Sequence, residues 1–186
     1  MKELETERLI LRGWRLGDAE DLYEYAKNPE VGRMAGWEPL ADKEQAIAVL
    51  KGYMEDHDVW AICLKENGKA IGHVKMTPDE NRGRYVAKYI SYAISVDYWG
   101  KGYMTEAAKA VIKYVFEERK EIDMLSIFHS AENCRSRGVV LKCGFIYDCT
   151  ISMEDTGRGG RKVDNVCYHL LRKEYYDGNK DSSYLH

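Results

Sequence analysis

The sequence predicts one α/β domain in which strands and helices alternate along the chain. Its 186 residues are 45% hydrophobic and 32% charged, which is typical of a soluble protein with one core. Segments of alternating apolar and polar residues interleave with segments whose apolar residues recur at helical spacing. Two β-rich segments joined by Asn67-Gly68 predict a hairpin. We expect the domain to span residues 1–175 and a loose, polar tail to follow at 176–186.

The chain opens with a predicted strand and a predicted helix. In "TERLILRGW", Leu9 and Leu11 alternate with polar or opposite-facing residues, which predicts a strand. "GDAEDLYEYAKNP" predicts a helix with Asp18 as its N-cap. The helix should end at Asn28-Pro29, because the proline ring disfavours helical geometry at the residue before it.

A second helix precedes the hairpin. "DKEQAIAVLKGYMED" begins with Asp42 as a cap and has Gln45 three residues later, the arrangement of a capping box. Its predicted apolar stripe consists of Ile47, Leu50 and Met54. In the hairpin "VWAICLKENGKAIGHVKM", the dipeptide Asn67-Gly68 tolerates the positive φ angles of a tight primed turn.

The strand "KYISYAISV" has one large and one small face. Ile90, Tyr92, Ile94 and Val96 point one way, and Tyr89, Ser91, Ala93 and Ser95 point the other. Small side chains on a strand packed on both sides would leave room for a ligand. A solvent-facing side explains the same pattern, so both interpretations stay open.

The rest of the chain continues the alternation. "TEAAKAVIKYVFEERK" predicts an amphipathic helix, and "MLSIFHS" predicts a strand. "NCRSRGVVLKCGF" predicts a short helix that ends at Gly144. The strands "GFIYDCTIS" and "VCYHLLRK" flank "EDTGRGGRK", which we expect to be a flexible loop.

The strand-to-helix corner "YWGKGYMTEA" is the most informative local motif. Gly100 and Gly102 allow backbone N–H groups to approach a ligand, and a helix N-terminus favours an anion such as a pyrophosphate. The corner is neither a P-loop nor a dinucleotide fingerprint, because Thr105 stands in the place of the third glycine. A plain strand-to-helix turn would have the same residues, so the motif alone does not distinguish a ligand site from a turn.

Composition excludes several classes of protein. A formal charge of −3 and a pI near 6.0 argue against a nucleic-acid binder. No segment has the length of a signal peptide or a membrane span, so we expect a cytoplasmic protein with no membrane partner. The cysteines lack metal-ligand spacing, so we expect no metal and five reduced, mostly buried thiols, namely Cys63, Cys134, Cys143, Cys149 and Cys167.

Together, "YWGKGYMTEAAKAVIKYVF", "NCRSRGVVLKCGFIYD" and the order of elements resemble the GNAT superfamily of acetyl-CoA-dependent N-acetyltransferases. The similarity is greatest to the RimJ/RimL-like branch and covers almost the whole chain. It implies a mixed, mostly antiparallel sheet of six to seven strands with about four helices. It also implies that the sheet splays at the acetyl-CoA site.

The resemblance implies roles for individual residues at this site. The family loop [Q/R]-x-x-G-x-[G/A] maps onto residues 99–104, with Trp99 replacing Gln or Arg and Met104 replacing a smaller residue. The implied pyrophosphate contacts are Lys101, Gly102, Tyr103, Met104 and Thr105, chiefly through backbone atoms. The backbones of Ile94 and Val96 would pair with the pantetheine arm as an added strand does.

Two further residues follow from the family motif N-x-x-S. Asn133 would contact the cofactor or the loop, and Ser136 would protonate the leaving thiolate. Helix capping explains the same two residues, because Asn is a common N-cap and Ser a common first-turn residue. We expect both roles together.

The implied reaction is direct attack of a neutral primary amine on the thioester, without a metal. The branch commonly has Glu where this chain has Tyr89, and a tyrosine is a poor base at pH 7. An α-amino group costs about 1.4 kcal/mol to deprotonate at pH 7, and a lysine about 4.6 kcal/mol. We therefore expect an easily deprotonated acceptor, a protein N-terminus or a small-molecule amine. A homodimer is compatible with this family.

Other interpretations were weighed against this one. A non-catalytic acetyl-CoA sensor has the same fold, and a nicotinamide-dependent enzyme would need the missing glycine. Cys134 could approach the cofactor thiol, and Gly157–Lys162 could form a lid. No histidine is assigned as a base, because a lone strand histidine is more often structural.

Overall fold

The computed structural model describes residues 1–155 and 161–182, and side chains within residues 1–152 and 163–178. The described part contains eight strands and six α-helices. The strands are β1 Leu4–Glu5, β2 Leu9–Arg12, β3 Val59–Leu64, β4 Ala70–Pro78, β5 Ala87–Ile94, β6 Met124–Ser130, β7 Ile146–Asp155 and β8 Arg161–Leu171. The helices are α1 Ala19–Ala26, α2 Pro29–Ala35, α3 Lys43–Glu55, α4 Tyr103–Glu118, α5 Cys134–Lys142 and α6 Arg172–Ser182.

The predicted α/β class is confirmed, although the sheet is larger than expected. Its strand order is β1-β2-β3-β4-β5-β6-β8-β7. β1 has two residues and α2 has seven, so neither is long enough to show a clear period in the sequence. Within the described residues, no helix is long and apolar enough to cross a membrane.

The chain forms two compact units. The first comprises Met1–Thr77 and Ser91–Val111, and the second comprises Pro78–Ile90 and Ile112–His186. Strand β5 and helix α4 each contribute residues to both units. Each unit is therefore described separately below.

The first unit is built on the antiparallel strands β1 to β3 with β4 beside them. Leu11 of β2 pairs with Ile62 of β3, and Ala61 pairs with His73 of β4. One face carries a cluster of buried side chains from β3, the helices and β5, including Trp14, Leu22, Tyr25, Leu50 and Ala93. This cluster holds α1 and α3 against the strands.

A close approach of two strands explains Gly72. A Cβ atom at this position would lie 2.8 Å from the Cα atom of Ile94 and would collide with the carbonyl of Ala93. Ser95 N–H also donates to the Ile71 carbonyl at 2.8 Å. The glycine therefore lets β4 pack against the end of β5, which leads to the glycine corner.

Ala93 and Ser95 correct the solvent-facing interpretation of the small strand face. Ala93 is 6% exposed and Ser95 is 8% exposed, and Ala93 lies in the apolar cluster. At Ala93 the space is filled by core side chains and not by solvent.

Two helix details in the first unit differ from expectation. Asp18 does not cap α1 with its side chain, because it accepts hydrogen bonds from the guanidinium of Arg12 and from Arg15 N–H, each at 2.8 Å. In α3, Asp42 caps Gln45 N–H at 2.8 Å as predicted. Its apolar stripe is shifted, since Ile47 is 38% exposed whereas Leu50 is buried. Met54, at 41% exposed, is also outside the core.

The hairpin between β3 and β4 forms as predicted, with a different turn. Gly68 has a φ of +76°, but all described non-glycine residues, including Asn67, have negative φ. Leu64 N–H donates to the Lys69 carbonyl at 3.0 Å and closes a longer connection. A two-residue primed turn would need positive φ at both positions.

The second unit joins β5 to the C-terminal strands. Ala87–Tyr89 pair in parallel with Met124–Ser126. From Met124 to Ser130, β6 pairs with β8, which in turn pairs with β7, both antiparallel. Parallel pairing of β5 with β6 thus covers only three residues of each strand, as a splayed sheet requires.

Helix α6 continues to Ser182, into the segment 176–186 for which the sequence predicts a loose tail. Arg172 donates to the carbonyls of Arg119 at 2.9 Å and Ile122 at 2.5 Å. The hydroxyl of Tyr176 donates to the Phe116 carbonyl at 2.9 Å. These contacts offset the low apolar content of the segment. Residues 183–186 lie outside the described part.

Candidate active site

The predicted glycine corner lies in the first unit, between β5 and α4. Gly100 and Gly102 have φ angles of +74° and +83°, which other residues adopt only with strain. Helix α4, of 16 residues, begins directly afterwards at Tyr103. The corner therefore presents first-turn N–H groups and the positive end of a helix dipole, as an anion site needs.

Trp99 fixes the strand end that leads into this corner. Its indole Nε1–H donates to the Ile94 carbonyl at 2.9 Å, and its backbone N–H donates to the Val96 carbonyl at 3.1 Å. The carbonyls of Ile94 and Val96, the two residues whose backbones were expected to pair with pantetheine, thus each accept one internal hydrogen bond already. An added chain could hydrogen-bond to the second lone pair of each carbonyl oxygen and to the Val96 N–H.

Arg8 and Glu106 form a contact that the sequence analysis missed. Arg8 Nε donates to Glu106 Oε2 at 2.7 Å, and Arg8 backbone N–H donates to Oε1 at 2.8 Å. Thr6 adds a hydroxyl donor to Oε1 at 2.6 Å. Arg8 also donates to the Lys101 carbonyl at 3.0 Å and lies 4.2 Å from the centre of the Tyr103 ring. No sequence pattern links residues this far apart.

The charge of Glu106 is balanced within this contact. Burial opposes its ionisation, but hydrogen bonds from Thr6 and Arg8 outweigh that effect and hold the pKa of Glu106 below its ordinary value. A bare carboxylate in the first turn of α4 would repel a phosphate. Arg8 cancels this repulsion and places a cation beside the loop.

Met104 and Thr105 begin the helix. Met104 is 6% exposed, so its longer side chain, in place of the usual small residue, is accommodated by packing. Thr105 and Tyr103 are half-buried, whereas Lys101 and Gly102 are exposed. Of the residues expected to contact the cofactor, Lys101 and Gly102 are thus accessible, whereas the side chain of Met104 is not.

Asn133 and Ser136 lie in the second unit at the start of α5. The Asn133 side-chain oxygen accepts the Ser136 backbone N–H at 3.0 Å, so Asn133 is the predicted N-cap. Ser136 is 9% exposed. The structure thus brings together Ile94, Val96 and residues 101–105 in one unit and the N-x-x-S pair in the other.

Tyr89, at the position where the branch commonly has Glu, is a stacked aromatic residue. Its ring centre lies 5.0 Å from that of Phe128, at an interplanar angle of 24°. Burial raises the pKa of Tyr89 well above its ordinary value, and Cys167 and Asp79 add to the effect. Tyr89 is therefore neutral at physiological pH and is not a general base.

Asp79 is an acidic residue in the second unit whose charge acts on Tyr89, but its carboxylate already accepts other hydrogen bonds. The hydroxyl of Ser126 donates to Asp79 Oδ2, and Arg82 Nε lies 3.2 Å from the same oxygen. Burial opposes its ionisation, but these hydrogen bonds outweigh it and lower the pKa of Asp79. A carboxylate stabilised in this way is a weak base.

The remaining candidates have structural surroundings. His73 is buried beside Tyr25, and His129 contacts the Ser130 carbonyl at 2.8 Å. Among the cysteines, Cys63 is buried, but Cys134 and Cys149 are exposed, so the expectation of mostly buried thiols is wrong. The proposed lid Gly157–Lys162 falls largely on residues 156–160, outside the described part. Among the described side chains, no three His, Cys, Asp or Glu residues group as metal ligands.

An α/β sheet in which a glycine corner leads into a 16-residue helix is the arrangement that the sequence resemblance to N-acetyltransferases predicts. Residues 8–146 match the family model described as the acetyltransferase (GNAT) domain. Because the match covers most of the chain, this protein belongs to the GNAT acetyltransferase family and is an N-acetyltransferase. The resemblance identified from the sequence is confirmed.

Individual relatives are distant but of similar length. The N-acetyltransferase p20 of Bacillus licheniformis is 28% identical over 181 residues, covering 94% of this chain and 99% of that protein. The [ribosomal protein uS5]-alanine N-acetyltransferase of Escherichia coli is 28% identical over 157 residues, covering 76% and 77%. The microcin C7 self-immunity acetyltransferase MccE, solved with acetyl-CoA and AMP, superposes with a TM-score of 0.76 at 20% identity, covering 89% and 93%.

Proposed function

We propose that this protein transfers the acetyl group of acetyl-CoA to a primary amine by direct attack on the thioester. The observation that carries the proposal is the corner of Gly100 and Gly102 at the N-terminus of α4, braced by Arg8. Its geometry suits a pyrophosphate, and the GNAT family uses acetyl-CoA as acetyl donor. The expected contacts are the backbone groups of residues 101–105.

The acetyl arm would continue along the end of β5. The Val96 N–H and the second lone pairs of the Ile94 and Val96 carbonyls are the groups proposed to pair with pantetheine. Trp99 holds those carbonyls in place through two hydrogen bonds.

The reaction needs three events at the carbonyl carbon. The neutral amine nitrogen forms a bond to carbon, the oxygen becomes an oxyanion, and collapse breaks the carbon–sulfur bond. We assign the proton on the departing thiolate to the Ser136 hydroxyl, since a positioned acid lowers this barrier. The amine nitrogen releases one proton to water, and the serine oxygen regains one from water. Asn133 positions Ser136 by accepting its backbone N–H and would contact the cofactor from the same cap.

The acceptor is proposed to be an α-amine at a protein or peptide N-terminus. Tyr89 is neutral and Asp79 is held by Ser126 and Arg82, so neither supports deprotonation of a strongly basic amine. Deprotonating an α-amine at pH 7 costs about 3 kcal/mol less than deprotonating a lysine side chain. The Escherichia coli relative that acts on the alanine of ribosomal protein uS5 supports this class of acceptor.

Matched peptides test the proposal. An alanine-initiated peptide with an internal lysine is compared with the same peptide blocked at its α-amine, with CoA release and product mass as readouts. We expect acetylation of the free α-amine and little reaction of the blocked peptide. Equal modification of both would overturn the acceptor class.

Measurements of binding and of turnover together separate an enzyme from a sensor. The melting temperature should rise with acetyl-CoA and not with NAD, because only a ligand that binds the folded state stabilises it. Binding of acetyl-CoA with no turnover across a broad panel of peptides and small amines would favour the sensor instead. Absence of acetyl-CoA binding would overturn both.

A further inference from the structure

Cys149 and Cys167 lie directly opposite each other on neighbouring antiparallel strands. They are register partners in the β7–β8 pairing, next to an irregularity between Tyr147 and Cys149. Opposed residues in antiparallel strands have Cα atoms about 4.5–5.5 Å apart, within the range of about 4.4–6.8 Å that a disulfide spans. Both thiols are free.

The two sulfurs interact and differ in access. Cys149 is exposed, whereas Cys167 is half-buried with its Sγ atom 3.8 Å from the Asn165 carbonyl. Burial raises the pKa of Cys167, and the charge and hydrogen bonding of the Cys149 thiol raise it further. Arg82 and Asp148 also act on this thiol, in opposite directions. Cys149 is thus the thiol that an external reagent reaches first.

We propose that Cys149 and Cys167 are a modification site. They form a reversible disulfide with each other, across the two strands, when they react with a low-molecular-weight disulfide such as glutathione disulfide. The Cys149 thiolate attacks one glutathione sulfur, forms a mixed disulfide and releases one glutathione thiolate. The Cys167 thiolate then attacks the Cys149 sulfur and releases the second. Two thiol protons leave, and two electrons reduce glutathione disulfide to two glutathione molecules.

The geometry favours a reducible bond. Opposed Cβ atoms in a sheet lie about 4.5–5.5 Å apart, and a relaxed disulfide has about 3.8 Å between them. Closing this difference strains the strands, and strained, accessible disulfides are the labile ones. The irregularity beside Cys149 gives β7 local freedom to make the approach.

The site is connected to the ring at position 89. Cys167 is the register partner of Phe128 in β6, and Phe128 stacks on Tyr89. Oxidation of Cys167 therefore takes place at the strand position paired with Phe128, whose ring contacts Tyr89. The proposal does not depend on the acceptor or on acetyl transfer.

Peptide mapping after incubation in glutathione redox buffers tests the proposal. Free thiols are alkylated after the protein is denatured, the protein is digested without reductant, and linked peptides are identified by mass. We expect one linkage, Cys149 to Cys167, with alkylatable thiols falling from five to three and returning to five after dithiothreitol. Both thiols remaining alkylatable, or stable glutathione on Cys149 beside a free Cys167, would overturn it.

Single variants resolve the order of steps. Cys167→Ser should retain glutathione on Cys149, because the resolving thiol is gone. The control Cys134→Ser removes another exposed thiol and should leave the linkage unchanged. If the linkage is lost in Cys134→Ser, the proposed pairing is wrong.

Discussion

The guanidinium of Arg8 binds the carboxylate of Glu106 at 2.6–2.7 Å and at the same time donates to the Lys101 carbonyl. One side chain before β2 thus holds both the glycine corner and the first turn of α4. Glu106 is 17% exposed, so its charge is less screened than that of a surface residue. We expect this pair to hold the conformation of the loop that is predicted to bind pyrophosphate. The pair should also keep the electrostatic potential beside the loop from being negative.

Arg8→Ala should weaken acetyl-CoA binding by about ten- to a hundredfold, or about 1.4–2.8 kcal/mol. The change removes a cation beside the loop and leaves the Glu106 charge facing the phosphate site. Isothermal titration calorimetry measures the effect. The double variant Arg8→Ala/Glu106→Gln should recover part of the affinity, because the repulsion is gone.

A surface control keeps this prediction specific. Arg33 pairs with Glu30 at 3.1 Å on an exposed face of α2, and Arg33→Ala should change acetyl-CoA affinity little. If Arg8→Ala folds normally and binds acetyl-CoA as tightly as the parent, Arg8 has no role in the loop.

Gly102→Glu should abolish measurable acetyl-CoA binding. The residue has a φ of +83°, and the added carboxylate would occupy and repel the phosphate site. Gly102→Gln separates size from charge and should bind more tightly than Gly102→Glu, though more weakly than the parent. Gly68→Glu, in the β3–β4 connection with a φ of +76°, carries similar strain and should retain binding. Equal affinity of Gly102→Glu and Gly68→Glu would show that the corner is only a turn.

The comparison of sequence with structure shows what local patterns capture. The Asp42 cap, the hairpin around Gly68 and the corner at Gly102 were predictable because each depends on neighbours in the chain. The Arg8–Glu106 pair was not, since nothing local distinguishes this arginine from Arg12, which instead holds Asp18.

Helix α6 was missed for a related reason. Its sequence has few apolar residues, so its stability comes from contacts that Arg172 and Tyr176 make with carbonyls of the α4 end and the segment that follows it. The same limit applies to the candidate site. Family resemblance supplied the roles of Ser136 and Asn133, and the residues alone would have given only a helix cap.

His73 should make the protein less stable as the pH falls from about 6.5 to about 4. Burial, with a smaller effect of Lys75, lowers the pKa of His73 to about 4, and Tyr25 Oη lies 2.9 Å from its Nδ1 atom. Between about pH 6.5 and pH 4 the unfolded chain therefore binds a proton that the folded state does not. The free energy of unfolding consequently falls by about 3 kcal/mol as the pH drops through this range. Urea unfolding at a series of pH values measures it.

Two comparisons isolate this histidine from other titrating groups. The control His57→Gln changes an exposed histidine and should keep the full pH dependence. NMR titration of the parent should show a His73 imidazole that stays neutral down to about pH 5. Protonation of His73 near its ordinary pKa of about 6.5 would contradict the prediction.

Ser136→Ala should lower kcat by ten- to a thousandfold while leaving acetyl-CoA affinity nearly unchanged. A proton donor to the thiolate acts in the transition state, and a loss of about 1.4–4 kcal/mol is the range for such a group. The helix cap should survive, because Asn133 accepts the backbone N–H of residue 136, which alanine retains. Steady-state kinetics with the alanine-initiated peptide and calorimetry with acetyl-CoA measure the two effects separately.

Ser136→Thr is the matched control, since it retains a hydroxyl at the same position on α5 and should recover part of the lost kcat. Thermal melting of all three proteins checks that the change in kcat does not come from partial unfolding. Turnover of the parent should rise with pH toward the pKa of the α-amine, about 8, because Tyr89 provides no base. Normal kcat in a folded Ser136→Ala variant across this pH range would assign the proton to water or another group.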